Sequence, residues 1–225
     1  MSSFVRAQYS FPAGLQQSEA KKILERFGVG FLGKPTASFF QDSHRSQIAL
    51  NWNWVDTSEI SKLGNGNQDR GVQYQEIQFS QELPFQVELG LRANLLMLNS
   101  AVSTYGGFVR WTFANLPFGA LALRAHGSSA NYRNLMAINF SGGLVEADFA
   151  WSSWILSVGV GQLKTTAQFK ASVFGQAGSQ PLIRAGDSYL HHMMRLSYSW
   201  NRWSLTAHSD QIRDRHNSLI LGYVF

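Results

Sequence analysis

The sequence predicts an all-β chain: a closed antiparallel transmembrane β-barrel of about 12 strands, with 10 strands plus an N-terminal plug as the alternative. Three observations predict it. Large apolar side chains recur at every second position along most of the chain, as in Phe85, Val87, Leu89, Leu91, Ala93 and Leu95, and alternate residues of a strand point to opposite faces. Only 15% of the residues are charged, well below the ~25% usual in soluble domains. Yet no stretch approaches the ~18 consecutive apolar residues of a membrane helix, a pattern that a barrel accommodates because only alternate residues meet lipid.

The elements follow in order. Residues 4–11 place Val5, Ala7, Tyr9 and Phe11 on one face and Arg6 on the other, a strand ended by Pro12-Ala13-Gly14. Residues 18–26 are the one helix-like stretch, with Ser18 as cap, so 1–45 is in part plug or loop. Phe27, Val29 and Phe31 mark a second strand. Ile48, Leu50, Trp52 and Trp54 alternate with Ala49, Asn51 and Asn53. Residues 57–70 form a Gly/Asn-rich loop. Val72 and Tyr74 share one parity and Ile77 and Phe79 the other, which predicts a bulge at Glu76. Strands from Phe85, Tyr105 and Ala120 come next, with tight turns at Leu83-Pro84 and Leu116-Pro117. Met136, Ile138 and Phe140 change parity to Val145, Ala147 and Phe149 across Gly142-Gly143, predicting a second bulge or a hairpin there. Trp151-Ser152-Ser153-Trp154 and Trp200-Asn201-Arg202-Trp203 are two-residue turns between tryptophans, residues favoured at a membrane–water boundary. A polar loop at 172–188, strands around Met194 to Trp200 and Trp203 to Ala207, and a charged loop at 210–217 lead to the last strand. The four short turns all fall at one rim. The whole, 1–225, reads as a single barrel domain.

The last strand bears on which way the wall faces, and the polar face of the other strands then decides it. Counting back by twos gives Phe225, Tyr223, Leu221 and Leu219. This ending resembles the C-terminal signal strand of bacterial outer-membrane β-barrels. The resemblance covers that strand only and leaves the subfamily open. It implies an integral outer-membrane location, barrel-assembly machinery as a partner through Leu219, Leu221, Tyr223 and Phe225, contact with outer-membrane lipid and lipopolysaccharide, and both chain ends on the periplasmic side. No signal peptide is legible before Arg6, so an exported chain would carry this numbering in its mature form.

The polar face supports an outward-looking apolar side. It carries Arg6, Glu88, Arg92, Arg110, Arg124, Glu146, Asp148 and Arg195 among Gly, Ser and Asn. Sixteen Phe, seven Trp and seven Tyr would overfill the inside of one soluble barrel, since small barrels fill with alternating small and large residues. Trp151, Trp154, Trp200, Trp203, Tyr223 and Phe225 are then the membrane girdle, and the charged set lines the interior.

Three function classes follow. The first is a narrow porin-like channel for small polar or anionic solutes, since inward arginines favour anions; alternatively they pair with the inward carboxylates and brace the wall, with Glu88 shared by Arg92 and Arg110. The second is a structural or partner-binding barrel without an open pore. The third is a rim hydrolase. His208 and Asp210 share a strand face and are its candidate catalytic residues, whereas Ser209 points the other way and cannot pair with His208. His191 and His192 diverge in the same way, so His191, His192 and His208 make a poor metal cluster. No cofactor or metal is expected. With a formal charge of +5 but no Lys/Arg run, the chain lacks a nucleic-acid footprint. With no cysteine it has no disulfide frame.

Overall fold

The computed structural model describes Ser18, Ala20, Lys21, Leu24 and residues 45–56, 71–94, 102–132, 136–169, 183–212 and 215–225. Among these lie ten strands: β1 Ser46–Asp56, β2 Gly71–Leu83, β3 Val87–Asn94, β4 Val102–Leu116, β5 Gly119–Tyr132, β6 Met136–Trp151, β7 Trp154–Phe169, β8 Ile183–Trp200, β9 Trp203–Gln211 and β10 Arg215–Val224. Each pairs antiparallel with its neighbours in sequence, and β1 pairs with β10 to close the barrel. The expectation of about twelve strands is therefore corrected to ten. Once β1 is bonded to both β2 and β10, every strand has two partners and no edge is left for another. The two extra segments, 4–11 and 27–31, lie outside the described residues, as does most of the N-terminal plug of the ten-stranded alternative.

Following the pairing once around, from Asp187 through Thr165, Phe140, Ser128, Gly106, Arg92, Gln78, Ala49, Gly222 and Ser204, returns to β8 at Ser199, twelve residues from the start. That stagger on ten strands corresponds to a tilt of roughly 40°. Four connections at one rim are tight: a single 3-10 turn at Pro84–Gln86, Pro117-Phe118, Ser152-Ser153 and Asn201-Arg202. Ser152 and Asn201 adopt positive φ, 53° and 52°, the hand that two-residue hairpins need. At this rim Ser46 and Phe225 exchange backbone hydrogen bonds.

The outer wall carries an apolar belt. All seven tryptophans of the chain, at 52, 54, 111, 151, 154, 200 and 203, are exposed on it, with Leu89, Leu91, Val109, Val158, Leu196 and Leu205 between. A soluble fold would bury such rings. From Leu190 to Trp200 on β8 the belt climbs ~25 Å, at ~3.3 Å per residue and ~40° tilt, close to the ~25 Å band of a membrane barrel. His192 is its one polar interruption on that strand.

Neither predicted bulge forms. Pairing runs unbroken past Glu76 and past Gly142-Gly143; the irregularity lies between Thr112 and Ala114 instead. The parity of large residues changes because the surroundings invert along the barrel axis. Next to the belt, the outer face is apolar and the inner face polar. Beyond it, towards the long-loop rim, Tyr74, Met136, Ile138, Phe140, Leu163, Ala167 and Ala185 turn inward and are buried, while Gln73, Asn139, Ser141, Lys164, Thr166 and Gln168 face out to water. Strands β5 to β8, of 14, 16, 16 and 18 residues, overtop β3, β9 and β10, of 8, 9 and 10. One side of the wall thus projects past the belt with an inside-out polarity relative to the part below.

Candidate functional site

The interior beside the belt is lined by charge, and the barrel's stagger decides which charges meet. Glu146 on β6 is fully buried and is gripped from three other strands. Arg124 on β5 donates from Nε to one carboxylate oxygen and from Nη2 to the other, the latter at 3.1 Å. Arg110 on β4 donates from Nε at 3.1 Å. Arg195 on β8 stands 3.9 Å away. Asp148, next inward on β6, accepts from Arg110 Nη2 and lies 3.6 Å from Arg195. Ser157 Oγ takes two N–H donors of Arg195, at 3.0 and 3.2 Å, and Thr112 Oγ1 takes one of Arg110, at 2.9 Å. Arg124 also lies 4.6 Å over the Phe108 ring. That ring fills the place a side chain would take at Gly90, where an added Cβ would sit 2.0 Å from it. Buried charges survive only when paired and hydrogen-bonded; Arg110, Arg124 and Arg195 each have a carboxylate at ion-pair distance and at least one hydrogen-bond acceptor, while Arg124 Nη1 and Asp148 Oδ1 make no hydrogen bond.

Higher up, Glu76 on β2 receives Arg92 Nη1 at 3.1 and 3.2 Å, Thr104 Oγ1 at 2.6 Å and Asn53 Nδ2 at 3.4 Å. Arg92 thus turns to Glu76 rather than to Glu88. On the far wall Asp210 is held between two imidazoles, with His191 Nε2 2.8 Å from one oxygen and His208 Nε2 3.0 Å from the other. The His126 ring meets His191 edge-on at 6.1 Å between centroids. A cavity of about 10 Å³ lies between Arg92, Phe108, Arg124, His126, His191 and Asp210. That is space for about one water.

The predicted residues fall as follows. Glu88, Arg92, Arg110, Arg124, Glu146, Asp148 and Arg195 are all buried on the inner face, and Arg6 lies outside the described residues. Trp151, Trp154, Trp200, Trp203 and Phe225 are exposed on the outer face, and Tyr223, half-buried, shares that face and packs against Trp203 at 4.9 Å. His208 and Asp210 do come together, but inside the wall at 3% and 2% exposure, where a large substrate has no access. His191 points in and His192 out. Among the described residues no group of three or more His, Cys, Asp or Glu is placed to hold a metal ion. The sequence reading missed Glu76, Asp187 and the inward role of His191. Glu76 shares its parity with Gln78 and Ser80, which was the available signal. With Glu76, Asp187 and Asp210 added, the inner wall is no longer markedly basic.

No protein-family model matches this chain, and no curated protein matches it either. Among solved structures it is similar to the N-terminal β-barrel domain of Pseudomonas aeruginosa OprF, at 9% identity and a TM-score of 0.41, covering 82% of this chain and 100% of that one. It is similar to the outer membrane protein OprG of Pseudomonas aeruginosa, at 12% identity and a TM-score of 0.37, covering 82% and 97%. It is also similar to outer membrane phospholipase A of Escherichia coli, at 9% identity and a TM-score of 0.30, covering 89% and 97%. At identities and TM-scores this low, the case for a membrane barrel rests on the wall itself.

Proposed function

We propose that this chain is an integral β-barrel of the bacterial outer membrane whose lumen is closed by its own side chains, so that it works as a structural or partner-binding barrel rather than an open pore. The membrane part of this reading rests on the belt. A closed barrel satisfies every backbone N–H and C=O within the wall, which hydrocarbon requires, and it is the exposed tryptophan surface that hydrocarbon would accept. The closed part rests on one observation. Glu146, with no exposed surface, ties β4, β5, β6 and β8 together through three guanidiniums, and the cavity above it has room for about one water. Hydrated solutes need an uninterrupted path.

Planar-bilayer recording of the refolded chain tests this directly. Silence at moderate voltage is expected, and sustained stepwise current from the unmodified protein overturns the closed reading. Brominated lipids test the membrane reading independently, since all seven tryptophans face outward and their emission should be strongly quenched. A second reading, a narrow channel for small anions, draws on the lower layer, where Arg110, Arg124 and Arg195 face Glu88, Glu146 and Asp148. It requires that this layer part, and predicts anion-selective current once Glu146 is neutralised.

A further inference from the structure

We infer that the helix bearing Ala20, Lys21 and Leu24 is a cap carried by the chain itself, seated in the long-loop mouth of the barrel against the apolar inner side of the projecting wall. Ser18, Ala20, Lys21 and Leu24 are helical. Ala20 and Leu24 lie four apart, on one face of a helix, and both have no exposed surface. Lys21, beside them in sequence, is half exposed and ion-pairs with Asp187. Asp187 belongs to the inner face of β8, in step with buried Ala185, His191 and Arg195, and sits near the long-loop end of a strand that begins at Ile183. The helix is therefore at the mouth, on the inside of the wall.

The wall at that height suits it. Met136, Ile138, Leu163, Ala167 and Ala185 are apolar, inward and buried, whereas the interior beside the belt is charged. An apolar lining that faces a water-filled mouth is unfavourable unless something covers it. A helix offering Ala20 and Leu24 on one side and a solvated lysine on the other has the matching two-sided character. The lysine meets Asp187, an inner-face carboxylate near that rim, which fixes the helix's rotation and depth rather than supplying much stability, since an exposed pair contributes little. The cap would deny molecules outside the cell access to the inner His191–Asp210–His208 cluster.

The chain has no cysteine, so introduced thiols report cleanly. The test uses the full chain refolded into liposomes, with the barrel's heat-modifiable gel mobility confirming folding in each variant. The pair Lys21→Cys and Asp187→Cys should be joined by a short bis-maleimide cross-linker, because a lysine–aspartate ion pair can hold its Cα atoms farther apart than the ~7 Å a direct disulfide allows. Leu24→Cys should react with a bulky maleimide at least tenfold more slowly than Lys164→Cys, a position exposed on the outer face of β7. Absence of the cross-link, or labelling of Leu24→Cys less than tenfold slower, overturns the cap. Neither result depends on conductance, so the cap and the closed-lumen reading can fail separately.

Discussion

Neutralising Glu146 should be among the most damaging single changes available inside this barrel. Glu146→Gln keeps the shape and one acceptor oxygen but removes the charge that three guanidiniums share. Asp148 then remains with Arg110 and Arg195, and Arg124 loses both of its carboxylate contacts to Glu146. Breaking a buried ion cluster by removing one partner costs about 3–5 kcal/mol, because the others stay buried and uncompensated. At a slope of roughly 1–3 kcal/mol per molar urea, a loss of ~3 kcal/mol moves the midpoint by about 1–3 M. The assay is urea unfolding from lipid vesicles followed by tryptophan emission. Asp187→Asn is the control, since its partner Lys21 is half exposed and such pairs contribute ~0–1 kcal/mol. Adding Arg195→Met to Glu146→Gln should restore part of the loss by removing one stranded cation, a coupling that a double-mutant cycle reads. If Glu146→Gln shifts the midpoint no more than Asp187→Asn, the ion network does not hold the lumen and the reasoning fails.

Three further outcomes are expected. Leu91→Arg, an exposed position within the belt, should destabilise the bilayer-inserted protein by ~2–4 kcal/mol, whereas Thr166→Arg, outward and beyond the belt, should change it by ~0–1 kcal/mol; equal effects in vesicle unfolding would move or remove the membrane boundary. Gly161→Ala should lower the urea midpoint by an amount equivalent to ~1–3 kcal/mol, since its Cβ would sit 1.9 Å from the Gly143 carbonyl oxygen and backbone cannot swing aside. Gly127→Ala, with 3.6 Å to its nearest neighbour, should be tolerated in the same measurement. Asp210→Asn strips the charge shared by His191 and His208 and should cost about 1.5–3 kcal/mol; an unchanged midpoint would mean the two imidazoles need no anion between them.

Much of the wall was legible because alternation is local. Leu89 and Leu91 against Glu88 and Arg92 read the same way in the sequence and in β3, since a strand's two faces are set by the backbone alone. Where the environment reversed, the same rule misled. Tyr74 falls out of step with Ile77, and Phe140 with Val145, which suggests bulges, although Tyr74 and Phe140 both face inward in unbroken strands. A change in parity looks identical whether the chain slips by one residue or the solvent changes sides, and only the position along the barrel axis separates the two.

The sequence by itself determined that this chain is β throughout the described wall, that its rings look outward and its arginines inward, and where the tight turns fall. Each of these depends on residues within a few positions of one another. The tertiary structure alone decided the number of strands, the partner of each charge and the filling of the lumen. Strand number follows from closure of β1 on β10. The meeting of Arg110, Arg124, Arg195 and Glu146 follows from a stagger that accumulates over the whole circumference, and no local pattern encodes it.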